Sequence, residues 1–191
     1  EGVAYWEEIC EIMEWAKDHV HCTFYLCWGA YAGLYYHYGI EKLDLDQKLF
    51  GIYPHKILKP TSPLFRGFDD MFMAPHSRAT DVRLGDVMAV DALEVMATTT
   101  EGSLAIAKTR DSRQFFVTCH AEYDANTLAL EYFRDMEKGL TTVDLPKNYF
   151  PGDDPEQAPA VTWRSTGQLL YSNWLNYYVY QSTPYDIKSI H

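Results

Sequence analysis

The sequence predicts an α/β domain, a sheet layered by helices, and three observations carry that expectation. Short β-type runs alternate with helical periods along the chain. The 191 residues, 47% hydrophobic and 23% charged, have the composition of one globular domain long enough to bury a core unaided. Fifteen tyrosines, nine phenylalanines and five tryptophans oppose disorder.

The elements follow in order. Residues 3–18 predict an amphipathic helix, since Trp6, Ile9, Cys10, Met13 and Ala16 recur at three- and four-residue steps. Thr23–Leu26 reads as the first strand, and residues 29–38 as a helix opened by Gly29 and Ala30. Residues 41–70 read as irregular, punctuated by Pro54, Pro60 and Pro63. Met73-Ala-Pro-His-Ser-Arg78 reads as a compact polar loop. Short strands are expected near 93–98, 104–108 and 114–118, with Glu101-Gly102 a turn between the first two. A helix over about 126–138 has Asp124 as its expected N-cap and Gly139 just past its end. A loop at 146–159, rich in proline and aspartate, leads to a final helix at about 168–181. About four strands make a thin sheet for this class. With a chain that starts at Glu1, almost directly in a helix, this predicts that 1–191 is part of something longer.

A formal net charge of −11 argues against a nucleic-acid partner, because phosphate neutralisation needs a basic face. It leaves room for a small anionic ligand held by two or three local cations. No apolar run approaches the ~20 residues of a membrane span, and nothing resembles a signal peptide. Cys10, Cys22, Cys27 and Cys119 are expected to be reduced, in a cytoplasmic protein. No metal or cofactor is expected. Of seven histidines only His19 and His21 are close in sequence, and neither metal-protease spacing nor a Gly-rich phosphate loop occurs.

Two segments could carry chemistry. In Leu26-Cys27-Trp28-Gly29-Ala30, a strand ends at a cysteine and a helix begins, as in a nucleophile elbow. The first N–H groups of the new helix, Trp28 foremost, would stabilise a thiolate and an oxyanion. Tyr25, two residues before, is not the small residue such turns prefer, and on this segment alone the balance lies with a buried structural thiol. The second segment, Phe115 to Asp124, runs a strand into His120 and then Glu122. A cysteine nucleophile needs a base, and that base an orienting acceptor, so strand ends placed side by side would make a Cys27–His120–Glu122 set. Cys119 reads as structural.

These segments resemble a known family in many independent blocks. Cys27 to Ile40, Arg66-Gly-Phe-Asp-Asp70, Ala74-Pro-His-Ser-Arg78, Phe116 to Asp124, Asn148-Tyr-Phe-Pro151, Trp163-Arg-Ser165 and Asn173 to Gln181 are similar to the homoserine O-acyltransferase (homoserine trans-succinylase) family. The resemblance implies a flavodoxin-like fold of the class I glutamine amidotransferase type, and a three-layer domain whose N-terminal strands precede this chain. It implies acyl transfer from acyl-CoA, acetyl favoured over succinyl, through an acyl-cysteine to the hydroxyl of L-homoserine for methionine synthesis. L-serine is the alternative acceptor, and a class I amidotransferase-like cysteine hydrolase the alternative activity. By the same resemblance Cys27 is the nucleophile, His120 the base and Glu122 its orienter. Lys48 and Ser77 contact the acyl group or thioester, and Arg134 binds the amino-acid carboxylate. A homodimer is implied as well. Read by themselves, Lys48 is an ordinary solvated lysine and Ser77 a loop residue, and a helix-surface pairing with Glu131 or Glu137 would explain Arg134. The chain departs from the family pattern at Tyr31, Cys119, Ala121 and Thr166, which bears on the acceptor more than on acyl transfer.

Overall fold

In the computed structural model, which describes residues 2–139 and 143–184, six strands form one mixed sheet. The elements are α1 (Trp6–His19), β1 (Thr23–Leu26), α2 (Trp28–Tyr38), β2 (Lys42–Ile57), β3 (Met71–Val82), α3 (Leu84–Met88), β4 (Leu93–Thr99), β5 (Leu104–Thr109), β6 (Gln114–Val117), α4 (Thr127–Glu137) and α5 (Arg164–Asn173). A π-helical stretch, Trp174–Tyr180, continues α5. The strand order is β1-β6-β5-β4-β2-β3, with β1 parallel to β6 and every other pair antiparallel.

The alternation of strand and helix is as the sequence predicts, but the sheet is not thin. Most of residues 41–70 are not irregular: β2 runs sixteen residues through Pro54. The expected polar loop at 73–78 is the middle of β3, antiparallel to β2 with Ile52 opposite Pro75 and Phe50 opposite Ser77. Proline lacks a ladder donor and so belongs at edges and interruptions. Pro75 lies on the edge strand β3, and β2 meets β4 only from His55 to Ile57, just past Pro54. The first half of β2 alternates exposed Lys42 and Asp44 with half-buried Leu43 and Leu45, the signature of a strand with one wet face.

Two further boundaries differ. Asp124 does not cap α4: Asn126 holds the N-cap position without a side-chain bond, and only the Asp124 carbonyl takes part, accepting from Thr127 N–H. Gly139 does end that helix, at φ +67, with its N–H on the Met136 carbonyl. The last helix begins at Arg164, earlier than expected, because Gly167 lies against another backbone rather than outside the helix.

Three clusters fill the interior. Phe115, Val117, Met96 and Ile106 pack on one face with Leu64, Phe65 and Leu170. Phe116, Leu104 and Ala107 pack on the other with Ala30 and Leu34 of α2 and Val87 of α3. Adjacent Phe115 and Phe116 thus serve opposite faces, as strand pleating requires. Phe50 and Ile52 of β2 pack with Leu128 of α4 and with Tyr149 and Trp163. The C-terminal ends of β1 and β6 are thereby fixed side by side.

Candidate active site

Parallel pairing of β1 with β6 sets Leu26 opposite Val117. The next residue, Cys27, donates its N–H to the Val117 carbonyl at 2.7 Å and then turns at φ 45, ψ −111. A non-glycine residue in this region costs on the order of 1–3 kcal/mol and persists only where its surroundings over-determine it. Here they do: the Cys27 carbonyl accepts from Ala30 and Tyr31, locking the turn to the first turn of α2. Cys27 is half-buried, and Trp28 behind it is exposed. The elbow therefore forms despite Tyr25. Space for that ring comes from Gly33, one helical turn in, where a Cβ would lie 3.3 Å from Tyr25 and 2.9 Å from Phe116. Tyr25 stacks on Phe116 with ring centroids 5.2 Å apart, and its hydroxyl hydrogen-bonds His37. The small residue that the elbow needs is present, but on the helix.

β6 ends at Val117, and His120 follows three residues on, its N–H donated to the Pro75 carbonyl of β3 at 2.8 Å. His120 Nδ1 meets Glu122 Oε1 at 2.6 Å, and the ring stacks on Tyr123 at 4.1 Å between centroids. Burial disfavours a charged imidazole here, yet Cys27 and Glu122, as acceptors of its hydrogen bonds and through their charges, outweigh it and push His120 up to about 9. The two strand ends thus bring Cys27, His120 and Glu122 together. Cys119 is wholly buried and its thiol is pushed up to about 12 by that burial, so it is a packing residue.

Of the other residues singled out by sequence, Lys48 and Ser77 converge on one carboxylate. Ser77 Oγ donates to Glu131 of α4, and Lys48 Nζ lies 3.7 Å from the same oxygen while resting 4.1 Å from the Phe50 ring centroid. Tyr123 joins this cluster to the first, its hydroxyl donating to the other Glu131 oxygen at 3.3 Å. Arg134 lies one turn further along α4. It pairs with its neighbour Asp135 at 2.8 Å rather than with Glu131, which is already engaged.

Sequence reasoning missed what holds the His120–Tyr123 turn. Gly167 of α5 lies so close that a Cβ there would be 2.3 Å from the Ala121 carbonyl oxygen. Trp163, fully buried before α5, donates its indole N–H to the Tyr123 carbonyl at 2.8 Å. The phenol of Tyr171 is pushed up by burial first and then by the Glu122 carboxylate beside it. The available signals were the Trp163-Arg-Ser165 block and the glycine that follows it at 167. A cavity of about 350 Å³, lined by Trp6, Trp28, Tyr31, Tyr35, Lys42 and Thr80 among others, opens next to the elbow. Among the described residues no cluster of His, Cys, Asp and Glu could hold a metal ion, and no helix is long and apolar enough to cross a membrane.

Known proteins agree with this architecture. A glutamine amidotransferase structure from Thermotoga maritima superposes with a TM-score of 0.62 at 13% identity, over 90% of this chain and 68% of that one. A glutamine amido transferase from Methylobacillus flagellatus gives 0.64 at 13% identity, over 92% and 70%. At such identity the likeness shows the fold, the class I amidotransferase-type α/β layering. In sequence, the chain is 54% identical over 190 residues to a homoserine O-acetyltransferase of Acetivibrio thermocellus and 52% identical to one of Bacteroides thetaiotaomicron. It spans all of its own length but 62% of theirs. The profile of the family described as homoserine O-succinyltransferase matches residues 1–185, and the chain belongs to that family.

Proposed function

We propose that this chain carries the acyl-transfer centre of a homoserine O-acyltransferase that takes acetyl-CoA as donor. The observation that supports it most is the Cys27 elbow facing His120, with Glu122 2.6 Å behind the imidazole. The names of the relatives, homoserine O-acetyltransferase, favour the acetyl donor and the homoserine acceptor.

In this reading Cys27 attacks the thioester carbonyl as a thiolate, its proton held on His120. The tetrahedral oxyanion sits at the start of α2, where the Trp28 N–H has no acceptor within the helix. His120, pushed up to about 9, carries the proton that the departing CoA thiolate collects. The neutral imidazole then takes the hydroxyl proton of homoserine, whose oxygen attacks the acyl-cysteine and regenerates the thiol. Glu122 holds the imidazole in the tautomer that this cycle needs. Lys48 and Ser77, gathered on Glu131, and Arg134 beyond them are assigned to the substrates, with the guanidinium suited to a bidentate grip on a carboxylate. A cytoplasmic homodimer using no cofactor completes the reading.

Intact-protein mass spectrometry tests it. Mixing with acetyl-CoA should add one acetyl group to Cys27, succinyl-CoA should add little, and L-homoserine should discharge the adduct faster than L-serine. An adduct that survives Cys27→Ala, or ammonia release from glutamine without any acyl-CoA, would overturn it.

A further inference from the structure

Arg78 is an unusual residue to find inside this protein. Its side chain is 3% exposed, on β3, in a chain where lysine and arginine otherwise lie mostly at the surface. Its Nε donates to His76 Nδ1 at 3.2 Å, and its Nη1 to the Thr80 carbonyl at 2.7 Å and to Asp81 Oδ1 at 3.2 Å. Since Nε can only donate, His76 carries its proton on Nε2 and gives it to His55 Nε2, 2.9 Å away. Both imidazoles are buried, and burial pushes them down, His55 to about 4, so they are neutral spacers. Arg78 Nη2 and His55 Nδ1 are buried without a hydrogen-bond partner among the described residues. A buried ion pair with unpaired donors is a weak stabiliser, since apolar residues of similar volume often do as well.

What Arg78 touches points to another role. Its guanidinium lies over the Tyr31 ring, 5.9 Å from the centroid, and the Tyr31 hydroxyl donates to the same Asp81 oxygen at 3.4 Å. Tyr31 N–H in turn holds the carbonyl of Cys27. On its other edge Arg78 fixes His76, whose neighbour Pro75 supplies the carbonyl that holds His120 N–H. One buried side chain is thus linked both to the strained turn of the nucleophile and to the backbone of the base.

We infer that Arg78 is a positioning residue, which sets Cys27 against His120 by bracing the Tyr31 turn and the Pro75–His76 step of β3 together. The inference rests on the reading of Cys27 as nucleophile. It also accounts for Tyr31, which is 6% exposed and braces the elbow from below.

The test is site-resolved alkylation of the intact protein with iodoacetamide, following each of the four cysteines by peptide mass spectrometry. Arg78→Met should slow alkylation of Cys27 by about tenfold or more, while Cys119 stays protected and Cys10 reacts as before. Arg78→Lys should recover part of the rate, because an ammonium can reach Asp81 but cannot also hold His76. Tyr31→Phe, which removes only the hydroxyl on Asp81, should slow Cys27 by a smaller factor, and by nothing further when added to Arg78→Met. A merely structural role predicts the opposite pattern, faster labelling of Cys119 with no selective loss at Cys27. That result, with Cys27 unchanged in Arg78→Lys and Tyr31→Phe, would overturn the inference. A wild-type Cys27 no more reactive than Cys10 would instead overturn the nucleophile reading itself.

Discussion

The two ends of the sheet meet at one site by different means. At one end, β1 and β6 are strands of four residues each, apolar in the middle, and each gives way to a reactive side chain where its pairing stops. At the other, β2 and β3 are sixteen and twelve residues long and hold Pro54, Pro75, His55, His76, Lys48 and Arg78. The short pair places the groups that would do chemistry. The long hairpin holds them in place and offers Lys48 and Ser77 to Glu131. A short apolar strand can be replaced by another of the same pattern, whereas the hairpin's buried side chains are joined one to another by individual polar contacts.

Substitutions should therefore separate activity from stability according to the end they strike. The largest effect is expected at His120. On the proposed reading, His120→Ala should lower the acyl-transfer rate by about three orders of magnitude and, above pH 9, where its charge no longer contributes, leave the thermal midpoint within a few degrees, measured by donor kinetics and calorimetry. Gly51→Val should do the reverse. Gly51 sits at φ +134, where a Cβ would be 2.3 Å from both N and O of Lys147, whose backbone pairs beside it. Neither strain can relax cheaply, so unfolding in urea should show a loss of about 3–5 kcal/mol. Gly167→Ala crosses the boundary. Its Cβ would press on the Ala121 carbonyl, costing about 1–3 kcal/mol and about tenfold in rate through His120 and Glu122.

The smallest effect is the pH dependence of stability, and its two limbs belong to different ends. His120 has a folded pKa near 9 against an ordinary 6.5. Its contribution is therefore complete below 6.5 and is lost as pH rises through 9. His55 and His76 are depressed, His55 to about 4, so the cost of keeping them neutral appears as pH falls below 6.5. Urea midpoints between pH 4 and 10 should show both limbs, and His120→Gln should flatten the alkaline one alone. A change in the acid limb instead would mean that the hairpin histidines and the site titrate as one unit.

The same division explains what could be read from the sequence. Cys27, His120 and Glu122 could be picked out as candidates only as a set: the Cys27 segment alone favoured a structural thiol because of Tyr25, and the second strand end, running into His120 and Glu122, shifted that balance. β2 and β3 were not, because proline within a run argues against a strand unless the edge it occupies is known. The partners of Arg78 show the second reason. His76 and Asp81 are close in sequence, but Tyr31 reaches Arg78, and His55 reaches His76, only through the folded sheet. Glu131 could be weighed only as a helix-surface partner for Arg134, since nothing local reveals that Ser77, Lys48 and Tyr123 arrive there first.

The hydrogen bond from Cys27 N–H to the Val117 carbonyl carries one more consequence. It is the last rung of a short ladder, and among the described residues β1 has β6 as its one neighbour. Any opening that frees this amide also parts the sulfur from the imidazole. Deuterium uptake at that single position is therefore a clock for how often the centre comes apart, readable without substrate and without turnover.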